Sequence, residues 1–386
     1  MNERIFARLI TDLESEDFAA AEAAANTLAS LRDENVRPLM IKALEAGSPL
    51  VQRVMLWALG NYEIPDYTPY LSYLTAKDSD VKEAAQVLFM TEKPAAAAAL
   101  EAAVHSPDAG LQYAAVETLG TLRTPAAEQL LITALDAEDT AVRSLAASAL
   151  SPFPSEKTTE ALAAHLTDDD EVRLSALFSL RKRLLSTEML NAVSPLASDK
   201  NQEVRAAAVY VLDAAAPESA ADDEDFHVRR AAAQTTASPA VLEHLCSDPE
   251  VSVRTAAADA AAKQKRVFTK TFIGMLSDEN PGVRRAAAAA LGNAGDEDKE
   301  TAVAALTGAL RDKKARSTRC LCQCSRRNRR RGGKTCAGRG LGREKSHPLR
   351  HYEKCAGLPE EKGREEPIVR TSRTWKNTLM CDTFIS

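Results

Sequence analysis

The stretch Leu276-Ser-Asp-Glu-Asn-Pro-Gly-Val-Arg-Arg-Ala-Ala-Ala-Ala-Ala-Leu-Gly292 decides the fold. Asn280 can cap a helix start, and Pro281 suits the first helical position, where its missing N–H would have no intrahelical partner. Val283, Ala286, Ala287, Ala290 and Leu291 then fall at i, i+3, i+4, i+7 and i+8, one apolar stripe on a helix of period 3.6. Gly292 follows where a left-handed C-terminal residue is easiest. Upstream, Phe272, Ile273 and Leu276 supply the apolar face of a preceding helix. The unit is therefore helix, short acidic loop, helix. One copy buries too little apolar surface to be stable, whereas stacked copies share a core.

The unit recurs along the chain. Aligned on Val283-Arg284, the equivalent pairs are Ala21-Glu22, Val51-Gln52, Val81-Lys82, Leu111-Gln112, Val142-Arg143, Val172-Arg173, Val204-Arg205, Val228-Arg229 and Val253-Arg254. Successive spacings are 30, 30, 30, 31, 30, 32, 24, 25 and 30 residues. A period this regular over so much chain predicts an all-α solenoid. Residues 1–35 form an atypical first unit with Glu22 in the Arg position, as suits a terminal cap.

The pattern Leu-x-Asp-x-x-x-x-Val-Arg-x-Ala-Ala-x-x-Leu-Gly resembles the HEAT repeat, in the short form found in bilin-lyase-like proteins. The resemblance covers roughly residues 1–314. Two closely spaced copies are instead similar to leucine-rich-repeat variants: Asp225 to Gln234, and Ser238 to Leu245 leading into Asp248-Pro-Glu-Val-Ser-Val-Arg254. They suggest a local change of pitch near residues 213–260. The resemblance implies a right-handed α-solenoid of about ten two-helix units whose second helices line a concave face. It implies a non-enzymatic scaffold or adaptor for a protein partner, with attachment or chaperoning of a tetrapyrrole on a partner protein as the alternative. Many activities sit on this fold, so the repeats alone do not choose between them.

Composition narrows the field. Aromatics make up only 5% of the chain, and abundant Ala favours close helix packing. Residues 1–300 carry 28 Lys and Arg against 47 Asp and Glu, a net charge of −19; the remainder, with 21 against 8, carries +13. So acidic a body disfavours nonspecific contact with nucleic acid or an anionic membrane. The N-terminal residues read as an amphipathic helix rather than a signal peptide, and no stretch is long enough to span a bilayer. One Cys, Cys246, lies in the repeats and six lie beyond residue 319, which fits a reducing compartment for the body. The expected location is the cytoplasm, and no cofactor is expected.

From Arg143 to Arg284 six successive units carry the repeat Arg. In four of them Asp stands six residues earlier, at Asp199, Asp223, Asp248 and Asp278, while Asp136 and Asp168 lie one place off. This predicts a ladder of Asp–Arg contacts, of the Asp278–Arg284 type, that tunes inter-repeat geometry. Trp57, Tyr62, Tyr67, Tyr70 and Tyr73 gather aromatics in an aromatic-poor chain. They either pack an enlarged repeat or, if several share an exposed face, mark a partner-binding patch. The acidic runs Asp168–Glu171 and Asp222–Asp225 read as solvated loops with helix-capping carboxylates, lacking the spacing of a calcium loop. Arg181-Lys-Arg183 and Lys263-Gln-Lys-Arg266 close helices, where cations suit the dipole.

The pattern stops after Asp312-Lys-Lys314. Ala315-Arg316 arrive where the next Val-Arg pair is due, but residues 315–386 turn to Arg, Gly, Cys and Ser with no apolar period. Residues 315–386 are therefore expected to be either a basic, Cys/Arg/Gly-rich disordered tail or the product of a reading-frame shift near residue 315, since GC-rich Ala codons read out of frame give such residues. Gly332-Gly-Lys-Thr335 has Asn328 where a phosphate loop needs its first Gly, and no strand precedes it. Cys320-x-Cys-x-Cys324, with Cys336, His347, His351 and Cys355, departs from common zinc spacings. In the body His105, His165, His227 and His244 lie on separate units, and there is no His-Glu dipeptide of the kind that holds iron in the helical-repeat deoxyhypusine hydroxylases. Repeat-built DNA glycosylases use a basic face, which this acidic body lacks. No catalytic or metal-binding residue is therefore assigned.

Overall fold

A computed structural model of the chain describes residues 1–91 and 93–311. The tail beyond, with its frame-shift reading, its cysteines and its Gly-Gly-Lys-Thr stretch, lies outside the described residues. Among the described residues every regular element is a helix.

The first two units pair α1 (Glu3–Leu13) with α2 (Phe18–Ala29) and α3 (Arg37–Ala46) with α4 (Pro49–Leu59). In the third, a 3₁₀ stretch at Thr68–Thr75 replaces the first helix and precedes α5 (Ser79–Phe89). Three regular pairs follow: α6 (Pro94–Val104) with α7 (Ala109–Thr121), α8 (Pro125–Ala134) with α9 (Thr140–Ala149), and α10 (Glu156–Ala164) with α11 (Asp170–Leu180). In the seventh unit α12 (Thr187–Val193) runs into a 3₁₀ turn at Ser194–Ser198 before α13 (Gln202–Leu212). The eighth opens with only a 3₁₀ turn at Glu218–Asp222, then α14 (Phe226–Thr235). The ninth and tenth are α15 (Pro239–Leu245) with α16 (Val251–Lys263) and α17 (Thr269–Met275) with α18 (Pro281–Leu291). An eleventh first helix, α19 (Lys299–Arg311), closes the described chain.

The opening stretch behaves as its pattern predicts, with one correction. The Asn280 carboxamide oxygen accepts the Gly282 N–H at 2.7 Å, and Pro281 begins α18. Val283, Ala286, Ala287, Ala290 and Leu291 are all buried. Gly292, however, has φ −63°, a right-handed conformation. The chain winds on past it as tight turns, Asn293 N–H to Ala290 O and Ala294 N–H to Leu291 O, so a left-handed stop is not needed. Left-handed residues occur instead at Asp213 (φ 49°) and Lys265 (φ 57°).

The 24-residue spacing has a simple cause. Thirteen residues separate Leu212 from Phe226, too few for a full helix and two loops, and the 3₁₀ turn at Glu218–Asp222 fills the space that a first helix occupies elsewhere. The core still runs through it, since Ala220 and Ala221 are buried.

Second helices pack on their neighbours more extensively than first helices do. The reason is a column of small residues four places past the repeat valine: Ala85, Ala115, Ala146, Ala176, Ala208, Ala257 and Ala287 are all fully buried there. A methyl at that place lets helix backbones approach closely. Gly120 marks one such close approach between second helices, where an added Cβ would sit 3.0 Å from the Ala149 methyl.

Candidate interaction surface

Second helices from α9 onward are tied to their neighbours at the N-terminal ends, and several are tied at the C-terminal ends as well. At the N-terminal ends the predicted ladder exists, but its wiring differs from the expected Asp278–Arg284 type. Arg284 donates through Nη1 to the backbone carbonyls of Asp278 (2.7 Å) and Glu279 (2.8 Å), not to the Asp278 carboxylate. That carboxylate accepts instead from Arg254 of the preceding unit, at 2.9 and 3.3 Å. A residue six places after the Asp reaches its own loop's carbonyls, and the carboxylate is left to face the neighbouring unit.

The same circuit repeats. Arg143 forks onto Asp168 (3.0 and 2.8 Å), Arg205 onto Asp223 (2.9 and 2.8 Å) and Arg229 onto Asp248 (2.7 and 3.1 Å). Arg173 reaches Asp199 through one nitrogen at 2.6 Å and binds Asp170 with another. Asp199, Asp223, Asp248 and Asp278 each accept the N–H two residues on, and that residue caps the second helix: Asn201, Asp225, Glu250 and Asn280. Loop, cap and neighbour are thus tied by one carboxylate. These pairs are largely shielded from water, so they exceed the ordinary worth of a surface ion pair. The Arg143 guanidinium holds the Asp168 carboxyl down at about 2. At Asp223 and Asp278 burial opposes ionisation, yet the facing guanidiniums and the loop N–H groups together keep both carboxyls below their ordinary range.

A second set of ties, not foreseen from sequence, joins the C-terminal ends. Asn61 donates to Ala29 O (2.6 Å), Arg183 to Leu150 O (2.8 Å), Gln264 to Thr236 O (2.8 Å) and Asn293 to Ala262 O (2.9 Å). Each donor reaches a carbonyl at the end of the preceding second helix, where intrahelical partners run out. Arg183 is therefore engaged across units as well as with Ser179 O of its own helix.

The acidic runs behave as capping and bridging loops. Asp169 accepts from Thr140 and Arg143, Asp170 from Asn201, and Asp222 lies 3.1 Å from His244 Nε2. His165 lies between Asp168 (3.3 Å) and Asp136 (3.7 Å). No group of three or more His, Cys, Asp or Glu side chains suited to a metal ion occurs among the described residues. Cys246 is buried in the core, and burial pushes its thiol up to about 12, far from a reactive thiolate.

The tyrosine-rich stretch divides. Tyr62, Tyr67 and Tyr70 are buried, so these three belong to the core and cannot form a shared exposed face. Tyr67 stands edge-on to Tyr70 (6.4 Å between centroids) and tilted against Phe89 (5.4 Å). These rings fill the volume left where the 3₁₀ stretch replaces a full first helix. Trp57 and Tyr73 are only half-buried. The Tyr73 hydroxyl donates to Leu44 O at 3.3 Å, and Arg53 lies over the Trp57 ring at 4.9 Å.

Trp57 leads to a surface that the sequence reading did not assemble. It stands six residues past its repeat valine, and none of the ten residues at that place is buried. The column runs Thr27, Trp57, Val87, Glu117, Ser148, Phe178, Tyr210, Gln234, Asp259 and Ala289, one per second helix. Three of its members make lateral contacts: Glu117 with Lys82 at 2.6 Å, Tyr210 beneath Arg181 at 3.9 Å, and Gln234, whose Oε1 accepts the Tyr210 hydroxyl at 3.1 Å. Phe178 is 60% exposed in the middle of this row. The sequence holds the signal, since the place is fixed by counting from each repeat valine, but an outward column has no apolar period to draw the eye.

The model of HEAT repeats matches residues 6–88, 96–181 and 238–321. The chain belongs to the HEAT-repeat family. The HEAT match is interrupted over 182–237, which holds two of the three units whose first helices are broken or reduced to 3₁₀ turns. Yeast Kap95p, whose binding induces the switch loops of RanGDP to adopt the GTP-bound conformation, is similar in fold: TM-score 0.55, 13% identity, 86% of this chain and 55% of Kap95p covered. Importin beta is similar too, with TM-score 0.51 and 15% identity over 86% of this chain and 56% of its own. The chain therefore spans just over half the length of these HEAT neighbours, and the likeness is one of fold alone. No curated protein matches the sequence.

Proposed function

We propose that this chain is a non-enzymatic interaction scaffold or adaptor of the cytoplasm, holding a protein partner on the face formed by its second helices. One observation carries the reading: a column of unburied side chains crosses ten second helices, with lateral contacts at Glu117, Tyr210 and Gln234, on helices that the Arg–Asp ladder ties to their neighbours from α9 onward. A solenoid that fixes such a row offers an extended, preorganised surface, and preorganisation lowers the entropy lost on binding. Kap95p, a protein of the same fold, is one whose binding alters a partner's conformation. The short-repeat resemblance also supports the alternative, a tetrapyrrole lyase or chaperone. A bilin's absorbance would shift on mixing with the chain in that case and stay constant for a scaffold.

Lysine cross-linking of the full chain in an extract of its source cells tests the scaffold reading. Links to a reproducible partner are expected at lysines of the second-helix side, such as Lys82, Lys182 and Lys263. No reproducible partner, or links confined to first-helix lysines such as Lys42, Lys157 and Lys270, would overturn it.

A further inference from the structure

Resting on the scaffold reading, the sixth and seventh units point to the chemistry of the partner. At the column place the neighbouring helices α9 and α14 carry polar Ser148 and Gln234, so the fold does not require an aromatic there. Helix α11 nevertheless carries Phe178, 60% exposed, and α13 carries Tyr210. Arg181, one turn beyond Phe178, lays its guanidinium 3.9 Å above the Tyr210 ring. Stacking holds the guanidinium in place while leaving its N–H edge free to donate. Neither Arg181 nor the exposed Lys182 has an ion-pair partner among the described residues, whereas every Arg at the repeat place from Arg143 to Arg254 has one. Arg181-Lys-Arg183 is also the sole run of three cations among the described residues, in a body of net charge −19.

We propose that Phe178, Arg181, Lys182 and Tyr210 form a docking site for a partner segment that sets an aliphatic or aromatic side chain beside one or two carboxylates. The apolar side chain would cover the Phe178 ring and exclude water from it. A carboxylate would take the fork of Arg181, already oriented by its ring, and a second would meet Lys182. Arg and aromatic side chains placed together are the usual composition of binding hot spots. The acidic body repels such a segment at long range, but beyond about 8 Å that repulsion is screened at physiological salt, and contact geometry decides.

A displayed library of random peptides, panned on the full chain, provides the probe. Enriched peptides are expected to pair an apolar residue with Asp or Glu within a few positions. Labelled copies of the enriched peptide should lose roughly tenfold or more in affinity against Phe178→Ser, which installs the residue type α9 carries at this place. Against Lys182→Glu an Asp-bearing peptide should weaken and its Asp→Lys counterpart should strengthen. Both positions are exposed, so unchanged circular dichroism and melting are expected for both variants. Peptides that bind Phe178→Ser as tightly as the parent chain, or that show no acidic enrichment, would overturn the proposal. So would a concentration-dependent dimer abolished by Phe178→Ser, because a second copy would then occupy the patch. A chain that selects no such peptide yet cross-links to a partner through other second helices overturns this site alone; a chain with no cross-linked partner overturns the scaffold reading itself.

Discussion

Replacing Arg229 by Met tests whether the ladder carries real stability. The Arg229 fork holds Asp248 at 2.7 and 3.1 Å, and its third nitrogen holds the carbonyls of Asp223 (2.9 Å) and Glu224 (3.1 Å). Asp248 is the most shielded carboxylate of the ladder, its side chain 4% exposed. Without the guanidinium it keeps only the Glu250 N–H at 2.7 Å. A hydrogen bond to a charged group contributes about 1.5–3 kcal/mol net, and breaking a fully buried pair costs about 3–5 kcal/mol. The Arg229 side chain is 14% exposed, so water would rehydrate part of the site. We therefore expect Arg229→Met to destabilise by about 2–4 kcal/mol. Asp248→Asn keeps an oxygen for Arg229 and for the Glu250 N–H, and should cost about 1–2 kcal/mol. The double variant should fall short of the sum by about 1–3 kcal/mol, because both single changes remove one interaction. Urea unfolding followed by far-UV circular dichroism measures the three values. Hydrogen exchange should place the loss in α14 and α16, since a repeat array transmits such damage mainly to neighbouring units. Single variants within about 0.5 kcal/mol of the parent would reduce the ladder to ordinary surface pairs. Strict additivity would show that Arg229 and Asp248 act separately, and either result would refute the circuit.

Acid should release the ladder in a defined window. Asp168 is held at about 2 against an ordinary value of 3.8, so its contribution is complete above about 4 and is lost as pH falls towards 2. Asp168→Asn should flatten the stability–pH curve between those limits; an unchanged curve would remove Asp168 from the account. Within the tyrosine-rich stretch, the buried Tyr67 hydroxyl has no hydrogen-bond partner among the described residues. Tyr67→Phe should therefore hold stability or raise it by up to about 1 kcal/mol, whereas Tyr67→Ala should lower it by about 3–5 kcal/mol. Thermal melts decide, and a marked loss in Tyr67→Phe would reveal a role for the hydroxyl. Cys246 should resist iodoacetamide at pH 8 in the folded chain, since burial holds its thiol far above that pH. Peptide mapping should find Cys246 modified only after unfolding, and rapid labelling would mean that the core around α15 opens readily.

What could be read from sequence follows from where the information lies. The solenoid was legible because burial in it is periodic: Val283 and its counterparts recur at nearly constant spacing, and each marks the same place in a shared core. Caps were legible for a similar reason, since Asn280 and Asp225 are local signals whose partners lie two residues away. The ladder was half legible. Spacing along one loop suggests that Asp278 meets Arg284, six residues on, but the side chain of a helical residue covers the turn before it, so Arg284 reaches the loop carbonyls first. The carboxylate is then free to turn to Arg254, which sequence places 24 residues away. Gly292 misled in the same manner: composition permits a left-handed stop, and only the continuing turn shows that none is made. The aromatics from Trp57 to Tyr73 were open between core and surface because the first helix of that unit is replaced by 3₁₀ turns, and helical counting fails where the helix is not α.

The candidate surface escaped for a deeper reason. Core positions repeat their chemistry from unit to unit, so aligned copies reinforce one another. The column six residues past the repeat valine repeats only its exposure; its residues run from Thr27 through Trp57 and Phe178 to Asp259. On a scaffold the variable column is where a particular partner would be specified, because changing a residue there disturbs neither the alanine seam nor the ladder. Phe178 and Arg181 stand out against this background. An exposed Phe contributes nothing to the core, and Arg181 forgoes the carboxylate that the repeat arginines from Arg143 to Arg254 obtain. In an array that ties its acidic loops so consistently into internal contacts, side chains left unspent at the middle of the pinned face are the ones a partner is best placed to complete.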